Sequence, residues 1–252
     1  MRNDTLLLAV VFEEVKPFLD EYFTSIDSQT EKNFDLLILK DKYKDKIPGG
    51  KTKNIVIDIE NNDSPAQIRQ YGIQYAIKNN YKNIIFTDTD DNYSQNYVES
   101  LMLGLENNDF VYSNIVPVDN NDITINNYFS LPHETKRYEQ IINYNFIGLG
   151  CSAVRSEIIR EINIPSDIIA VDWYLYTILL LNGFAGKLVE NASVYYRQHY
   201  NNTVGGLKQL DRVRLLKGID IKEKHYLYIY NYCLENNYKS VAKEYEIKYQ
   251  EM

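Results

Sequence analysis

Sulfur is scarce in this chain of 252 residues, which has only two cysteines, Cys151 and Cys233. They lie far apart and without the spacing of a metal-ligand set, so the fold is expected to stand without disulfide or zinc staples. Long apolar runs are missing too. The two longest, residues 6–12 and 174–181, fall well short of the roughly 20 residues that a membrane-spanning helix needs. No apolar stretch follows a basic N-terminal segment as in a secretory leader. The expectation is a reduced protein of the cytoplasm that does not cross a membrane. Positive charge is also short, with 27 Lys and Arg against 35 Asp and Glu and a net charge of −8. This argues against a nucleic-acid surface, whose affinity comes mostly from clustered Lys and Arg. A small anionic ligand would need local positive charge, from a bound metal and a few arginines, to offset the acidic field.

At this length the chain can form one sizeable domain, or one domain with a small appendage, around a full core. What is present first is a rhythm. Residues 6–12 form a continuous apolar run of strand length, and residues 15–25 carry Val15, Phe18, Leu19, Tyr22 and Phe23 at helical spacing. Residues 34–39 and 54–59 read as the next two strands. Ser64 suits an N-cap and Pro65 the first position of a helix that runs to Lys78. Residues 83–87 make a fourth strand, which delivers Asp88 at its carboxyl end. This alternation predicts an α/β domain with a mostly parallel central sheet flanked by helices and a ligand site outside the strands' carboxyl ends.

At that edge stands DTDDNYSQNYVE, residues 88–99, which has three candidate chemistries. Asp88, Asp90, Asn92, Ser94, Asn96 and Glu99 match the ligand spacing of a calcium-binding EF-hand loop. Such a loop follows a helix and needs glycine at its sixth position, whereas this one follows a strand and has Tyr93 there. An aspartate pair ending a strand also resembles a haloacid-dehalogenase phosphatase. That motif continues to Thr or Val where Asn92 stands, and it opens the domain instead of following three strands. The third reading is an Asp-x-Asp that holds a metal against the diphosphate of a sugar nucleotide. Loop carboxylates and helix caps are the plain alternative for Asp88, Asp90 and Asp91.

The neighbouring sequence favours the third. SPAQIRQYGIQYAIKNNYKNIIFTDTDDNYSQNYVE, residues 64–99, resembles the nucleotide-binding half of inverting family 2 glycosyltransferases of the GT-A fold. There an Arg-Asn-x-Gly helix leads into a strand ending Asp-x-Asp-Asp; here the helix reads Arg69-Gln70-Tyr71-Gly72 and the strand ends Asp88-Thr89-Asp90-Asp91. VDWYLYTILLLNGFAGKLVENASVYYRQHYNNTVG, residues 171–205, is similar to the rhamnosyltransferase-like members, which carry Asp-Trp at a helix start and Tyr-Arg-Gln-His before an Asn and a Gly. FIGLGCSAVRSEII, residues 146–159, resembles the glycine-containing acceptor-side segment. The resemblance spans roughly residues 5–205 in the family's order. Two places depart from it: Val11-Phe12-Glu13-Glu14 stands where the first strand usually ends in Pro-x-Tyr-Asn, and Lys40-Asp41-Lys42-Tyr43 replaces Asp-Asp-Gly-Ser. Both positions line the base and ribose in the family, so Val11, Glu13 and Asp41 are the candidate contacts there.

The resemblance implies a metal-dependent, inverting glycosyltransferase of polysaccharide or glycolipid assembly, moving a sugar from a nucleoside-diphosphate donor to an acceptor hydroxyl. Its site must neutralise charge that develops on the β-phosphate. Mg²⁺ or Mn²⁺ does this with few protein ligands, because phosphates and waters complete the octahedron. By resemblance Asp90 is the direct ligand, and Asp88 contacts the ribose or the metal through water, with Thr89 between them on the donor side. Arg69 and Arg197 are candidate phosphate contacts. His199 is a candidate further ligand, which would favour Mn²⁺. The plainer readings are a solvated helix arginine for Arg69, a hydrogen-bonded loop histidine for His199 and a loop residue for Asp41. Inversion needs one base on the acceptor side, and Asp172 is the candidate, a role compatible with an N-cap of the helix over 173–181. Trp173 offers an acceptor platform or a core residue, and Gly148 and Gly150 would let backbone approach the substrates closely or would simply shape a turn.

Past Gly205 the resemblance fades. Residues 207–250 read as two or three helices rich in Lys, Glu and Tyr, giving a catalytic domain of residues 1–205 and a helical extension of residues 206–252. A packed appendage is the simpler reading of the extension; a homodimer contact or a peripheral contact with the inner face of the membrane is the alternative. Two rivals stand beside the enzyme: a nucleotide-sugar-binding homologue without turnover, and the phosphatase.

Overall fold

The structure, a computed structural model, describes residues 3–48, 50–61, 63–119, 123–125, 130–198 and 212–252. The four expected strands are present as β1 (Thr5–Val11), β2 (Phe34–Asp41), β3 (Asn54–Ile59) and β4 (Asn83–Asp88), with α1 (Leu19–Asp27) between the first two and α2 (Pro65–Lys78) between the last two. They pair in parallel in the order β3-β2-β1-β4. Every residue of β1 is buried, because helices cover both faces of the sheet. Leu6, Leu8 and Val10 enter one core with α2, while Leu7, Ala9 and Val11 enter the other with α1. The register sets Val10 beside Asp88 and Val11 beside Lys40, so β1, β2 and β4 end in one row.

Two local features bring the helices to that row. Pro17 lies in a 3-10 segment, Glu13–Phe18, so the helix expected over 15–25 is split and α1 proper starts at Leu19. On α2, Ser64 caps as expected: Gln67 N–H donates to Ser64 Oγ at 3.2 Å, and Ser64 N–H donates to Gln67 Oε1 at 2.9 Å. Gly72 lets α2 lie close against β1, since a Cβ there would come within 2.6 Å of Leu8 Cδ1.

After Asp88 come β5 (Asn92–Tyr93), α3 (Tyr97–Leu105), β6 (Phe110–Val118), β7 (Glu134–Thr135), β8 (Ser152–Arg155), α4 (Val171–Leu181) and β9 (Gly186–Arg197). Here the mostly parallel expectation stops holding. β8 inserts antiparallel between β4 and β6, β6 runs parallel to β9, and β5 and β7 pair antiparallel with β9. Parallel neighbours need a crossover connection, and among the described residues no α-helix lies between β6 and β8, which pair antiparallel.

Helix α4 ends at a glycine in the left-handed region, Gly183 at φ 84°. Gly183 N–H donates to Leu180 O, and Phe184 N–H to Leu179 O, each at 3.1 Å. The C-terminal helices α5 (Arg212–Glu235) and α6 (Lys239–Gln250) pack on α4, and Tyr226, Ile229, Cys233, Ala242 and Tyr245 join the core that α2 shares. Val213, Leu215 and Leu216, in the first turns of α5, are exposed. The expected boundary at 205/206 lies outside the described residues. Cys151 and Cys233 are both buried free thiols. Among the described residues no helix is long and apolar enough to cross a membrane.

Candidate active site

The row of strand ends carries the acidic loop. Asp88 closes β4, and its Oδ1 accepts a hydrogen bond from Arg69 Nη2 of α2 at 2.7 Å. Tyr93 of β5 holds the Asp88 backbone from both sides, accepting its N–H at 2.8 Å and donating to its carbonyl at 3.2 Å. Asp91 is nearly fully buried, 2 % exposed, and its Oδ1 accepts the Arg197 backbone N–H at 2.8 Å. Burial and the neighbouring Asp90 push the Asp88 carboxyl above the usual carboxylate range, against the pull of the Arg69 guanidinium. Burial together with Asp90 and Asp88 pushes Asp91 well above it. Half-buried Asp90 thus stands in a dense, partly desolvated negative field.

A second carboxylate faces this loop from α4. Asp172 Oδ1 accepts the Trp173 backbone N–H at 2.7 Å. Burial, and to a lesser degree the charge of Asp88, raise the Asp172 carboxyl to about 6, while the Trp173 N–H and the Asn145 side chain pull it down. Between the two carboxylates runs the turn Leu149–Cys151. A Cβ on Gly150 would overlap the Asp88 carboxylate, at 2.9 Å from its Cγ, and a Cβ on Gly148 would touch Asp172 Oδ2 at 4.0 Å. The turn is a spacer that packs tightly on Asp88 and lies beside Asp172.

The remaining expected residues fall unevenly. Arg69 belongs to the site, and its Nη1 is buried with no hydrogen-bond partner. Asp41 ends β2 with a buried, unpartnered Oδ1. Val11 is fully buried, so only its backbone can line the cleft, and Glu13 is exposed beside Lys16. Thr89 is turned inward, donating to Val10 O at 2.9 Å. Arg197 is also turned inward at 1 % exposure: Nε donates to Asp90 O at 3.0 Å, Nη2 donates to Glu21, and the guanidinium stacks 4.9 Å over Phe18. It braces the acidic loop from behind. His199 lies outside the described residues.

Asp172 is the second residue of α4 and not its N-cap, which is Ala170 without a side-chain cap bond. Trp173 is buried at 4 % exposure, with its indole N–H on Ile141 O at 2.7 Å, so the platform reading falls to the core reading. The calcium reading falls as well: Ser94 Oγ accepts Ser193 N–H, Asn96 donates to Asn191 O, and Glu99 accepts from Thr30, so these side chains do not converge. Sequence reasoning missed Tyr93, Glu21 and Asn145. None is given a role in its own right there, and each acts through a contact made only in the fold.

Two outcomes follow. Gly150→Ala should destabilise by about 1–3 kcal/mol in urea unfolding through overpacking against Asp88, whereas Gly148→Ala should stay within about 0.5 kcal/mol; equal losses would refute the spacer. The second concerns charge. A folded carboxyl near 6 against an unfolded one near 4 makes proton binding favour the folded state, so this stability is full below about pH 4 and is lost as pH rises through about 6. Asp172→Asn carries no such charge. It should melt a few degrees above wild type at pH 8 and lose that advantage by pH 4. The gain has a ceiling of about 3 kcal/mol, lowered by solvent screening of a half-buried group. A variant that melts lower at pH 8 would show that Asp172 is held by its charge.

Comparison with known proteins places the fold and the family. An uncharacterised glycosyltransferase of Rickettsia conorii is 32% identical over 118 residues, which cover 44% of this chain and 19% of that protein. One of Rickettsia felis is 35% identical over 98 residues, 37% of this chain and 16% of that protein. The chain therefore covers less than a fifth of the length of these relatives. Among solved structures, S. aureus TarS with UDP-GlcNAc matches at TM-score 0.59 and 13% identity, over 90% of this chain and 67% of that one. The mannosyltransferase PcManGT of Pyrobaculum calidifontis, solved with GDP-Man and Mn²⁺, matches at TM-score 0.60 and 10% identity, over 91% and 64%. At these identities the likeness is one of fold, and the fold is GT-A. The sequence profile described as glycosyl transferase family 2 matches residues 7–162, well over half of the chain, and the chain belongs to that family.

Proposed function

We propose that the chain is a metal-dependent, inverting glycosyltransferase unit that moves a sugar from a nucleoside-diphosphate donor to a hydroxyl of a saccharide or glycolipid acceptor. The observation that carries this reading is the separation of two carboxylates across one glycine turn. Asp88 stands among like charges with an arginine on it. Asp172 stands apart with its carboxyl raised to about 6, a value suited to taking a proton near neutral pH.

Asp90, with Asp88, would hold the metal. The donor set fits: the oxygens are hard, and the negative charge that burial concentrates is what a divalent cation relieves. Diphosphate and water would complete its shell. When bound, the ion neutralises charge on the leaving diphosphate. The unpartnered Arg69 Nη1 suits a phosphate oxygen, and the unpartnered Asp41 Oδ1 suits an N–H or O–H of the base or ribose. Val11 would contribute backbone, Glu13 the rim of the cleft, and Thr89 and Arg197 the support of the loop. His199 is proposed as a further ligand. UDP-GlcNAc on TarS, and GDP-Man with Mn²⁺ on PcManGT, support this class of donor. Asp172 takes the proton of the acceptor hydroxyl as its oxygen attacks the anomeric carbon, and the bond to the diphosphate breaks on the opposite face.

Thermal-shift measurements with UDP, GDP, dTDP and their sugars, with and without Mn²⁺, test the donor site, since a ligand of the native state raises the melting temperature by mass action. In Asp90→Ala the Mn²⁺-dependent part of the shift should disappear while the fold persists; an undiminished shift would remove Asp90 from the metal. In Asp172→Asn, sugar transfer should fall by roughly 10²–10⁴-fold with donor affinity retained. Near-normal transfer would assign the base elsewhere. Donor binding with no transfer by wild type selects the binding homologue, and phosphate release from simple phosphomonoesters selects the phosphatase.

A further inference from the structure

The family profile ends at residue 162, and the proposed chemistry gives α5 and α6 no task. Their contact with α4 supplies one. His225 of α5 is fully buried and stacks on Trp173, with ring centroids 4.0 Å apart and planes at 17°. Trp173 is fixed at two further points: its indole N–H donates to Ile141 O, and its backbone N–H donates to Asp172 Oδ1, each at 2.7 Å. Tyr226 lies edge-on to Trp173, and Tyr245 of α6 lies edge-on to His225. An unbroken chain of contacts thus runs from the C-terminal helices to the carboxylate.

The identity of the residue is informative. Neither Nδ1 nor Nε2 of His225 has a hydrogen-bond partner, and burial alone lowers its pKa to about 3, so the ring is neutral. Burying two unpartnered ring nitrogens is unfavourable, and a leucine would fill the space without that penalty. A flat ring lying parallel to an indole is what leucine cannot supply.

We infer that the C-terminal helical pair belongs to the catalytic unit, with His225 as a positioning residue that holds Trp173, and through it the Asp172 carboxylate, in place for proton transfer. The inference rests on Asp172 being the base. A misplacement of the order of 1 Å at a reacting group suffices for large rate losses, and the Trp173 N–H bond is the link through which a loosened indole would move the carboxylate.

The test compares His225→Leu, which fills the site without a flat face, with His225→Phe, which restores one. The readouts are nucleoside-diphosphate release from the donor chosen by thermal shift, melting temperature, and fluorescence anisotropy of Trp173, the sole tryptophan of the chain. His225→Leu should melt at or above wild type, yet lose roughly tenfold or more in kcat with donor KM within about twofold, and its Trp173 anisotropy should fall. His225→Phe should recover most of the kcat and the anisotropy. Should His225→Leu fail to fold, His225→Met, also without a flat ring, takes its place. Wild-type kcat in the variant lacking a flat ring, an unchanged Trp173 signal, or failure of Phe to rescue would each overturn the inference. If wild type turns over no donor, the enzyme reading itself fails and this inference falls with it. If wild type is active and the variants match it, only the positioning role is lost.

Discussion

The contact between Arg69 and Asp88 is the one around which the cleft is arranged. Three carboxylates within four residues repel one another, and burial at the end of β4 sharpens that repulsion. A buried ion pair is weak support for stability as such; its value here is geometric. To bring Arg69 to Asp88, α2 must start at Ser64, lie close on β1 over Gly72, and point its second turn at the strand ends. Tyr93 and Arg197 then hold the loop from the other side, through the Asp88 peptide and through the Asp90 carbonyl with the Asp91 carboxylate. The acidic loop is therefore fixed by three elements, α2, β5 and β9, before any ligand arrives, which is the condition for electrostatic preorganisation.

Asp172 shows how the same side chain is given another character by its surroundings. It is kept from the acidic loop by a turn whose glycines meet one carboxylate each, and it accepts a backbone N–H in place of a guanidinium. With no cation beside it, burial prevails and the carboxyl rises to about 6. In the proposed reading one member of the pair serves metal and phosphate and the other the proton.

The C-terminal helices alter the meaning of this arrangement. They are not held at arm's length by a linker: Tyr226, Ile229, Cys233 and Tyr245 share a core with α2 and α4, and His225 meets the residue next to Asp172.

How much of this is legible in the residues depends on the range of the forces involved. The apolar run of β1, the Ser64-Pro65 start of α2, the Asp88 end of β4 and the Gly183 end of α4 are all readable locally, because caps, proline, glycine and apolar periodicity act over a few neighbours. The Asp-x-Asp-Asp and Gly-x-Gly runs, spelled just as locally, lie within the residues that the family profile matches. The mixed second half of the sheet is not readable in this way, since nothing within β8 or β9 names a partner; pairing is chosen among distant strands when the core closes. Side-chain direction escapes too. Thr89 and Arg197 look alike in sequence whether they face a phosphate or the protein, and tertiary packing turns both inward. Trp173 reads equally as platform or core until α5 lays His225 against it. The sequence by itself therefore determined which groups stand at the strand ends and what chemistry they can do. Only the tertiary structure decided which of them turn inward and which way each perturbed carboxyl is shifted, because burial and the nearest opposite charge are properties of the assembled neighbourhood and not of any residue alone.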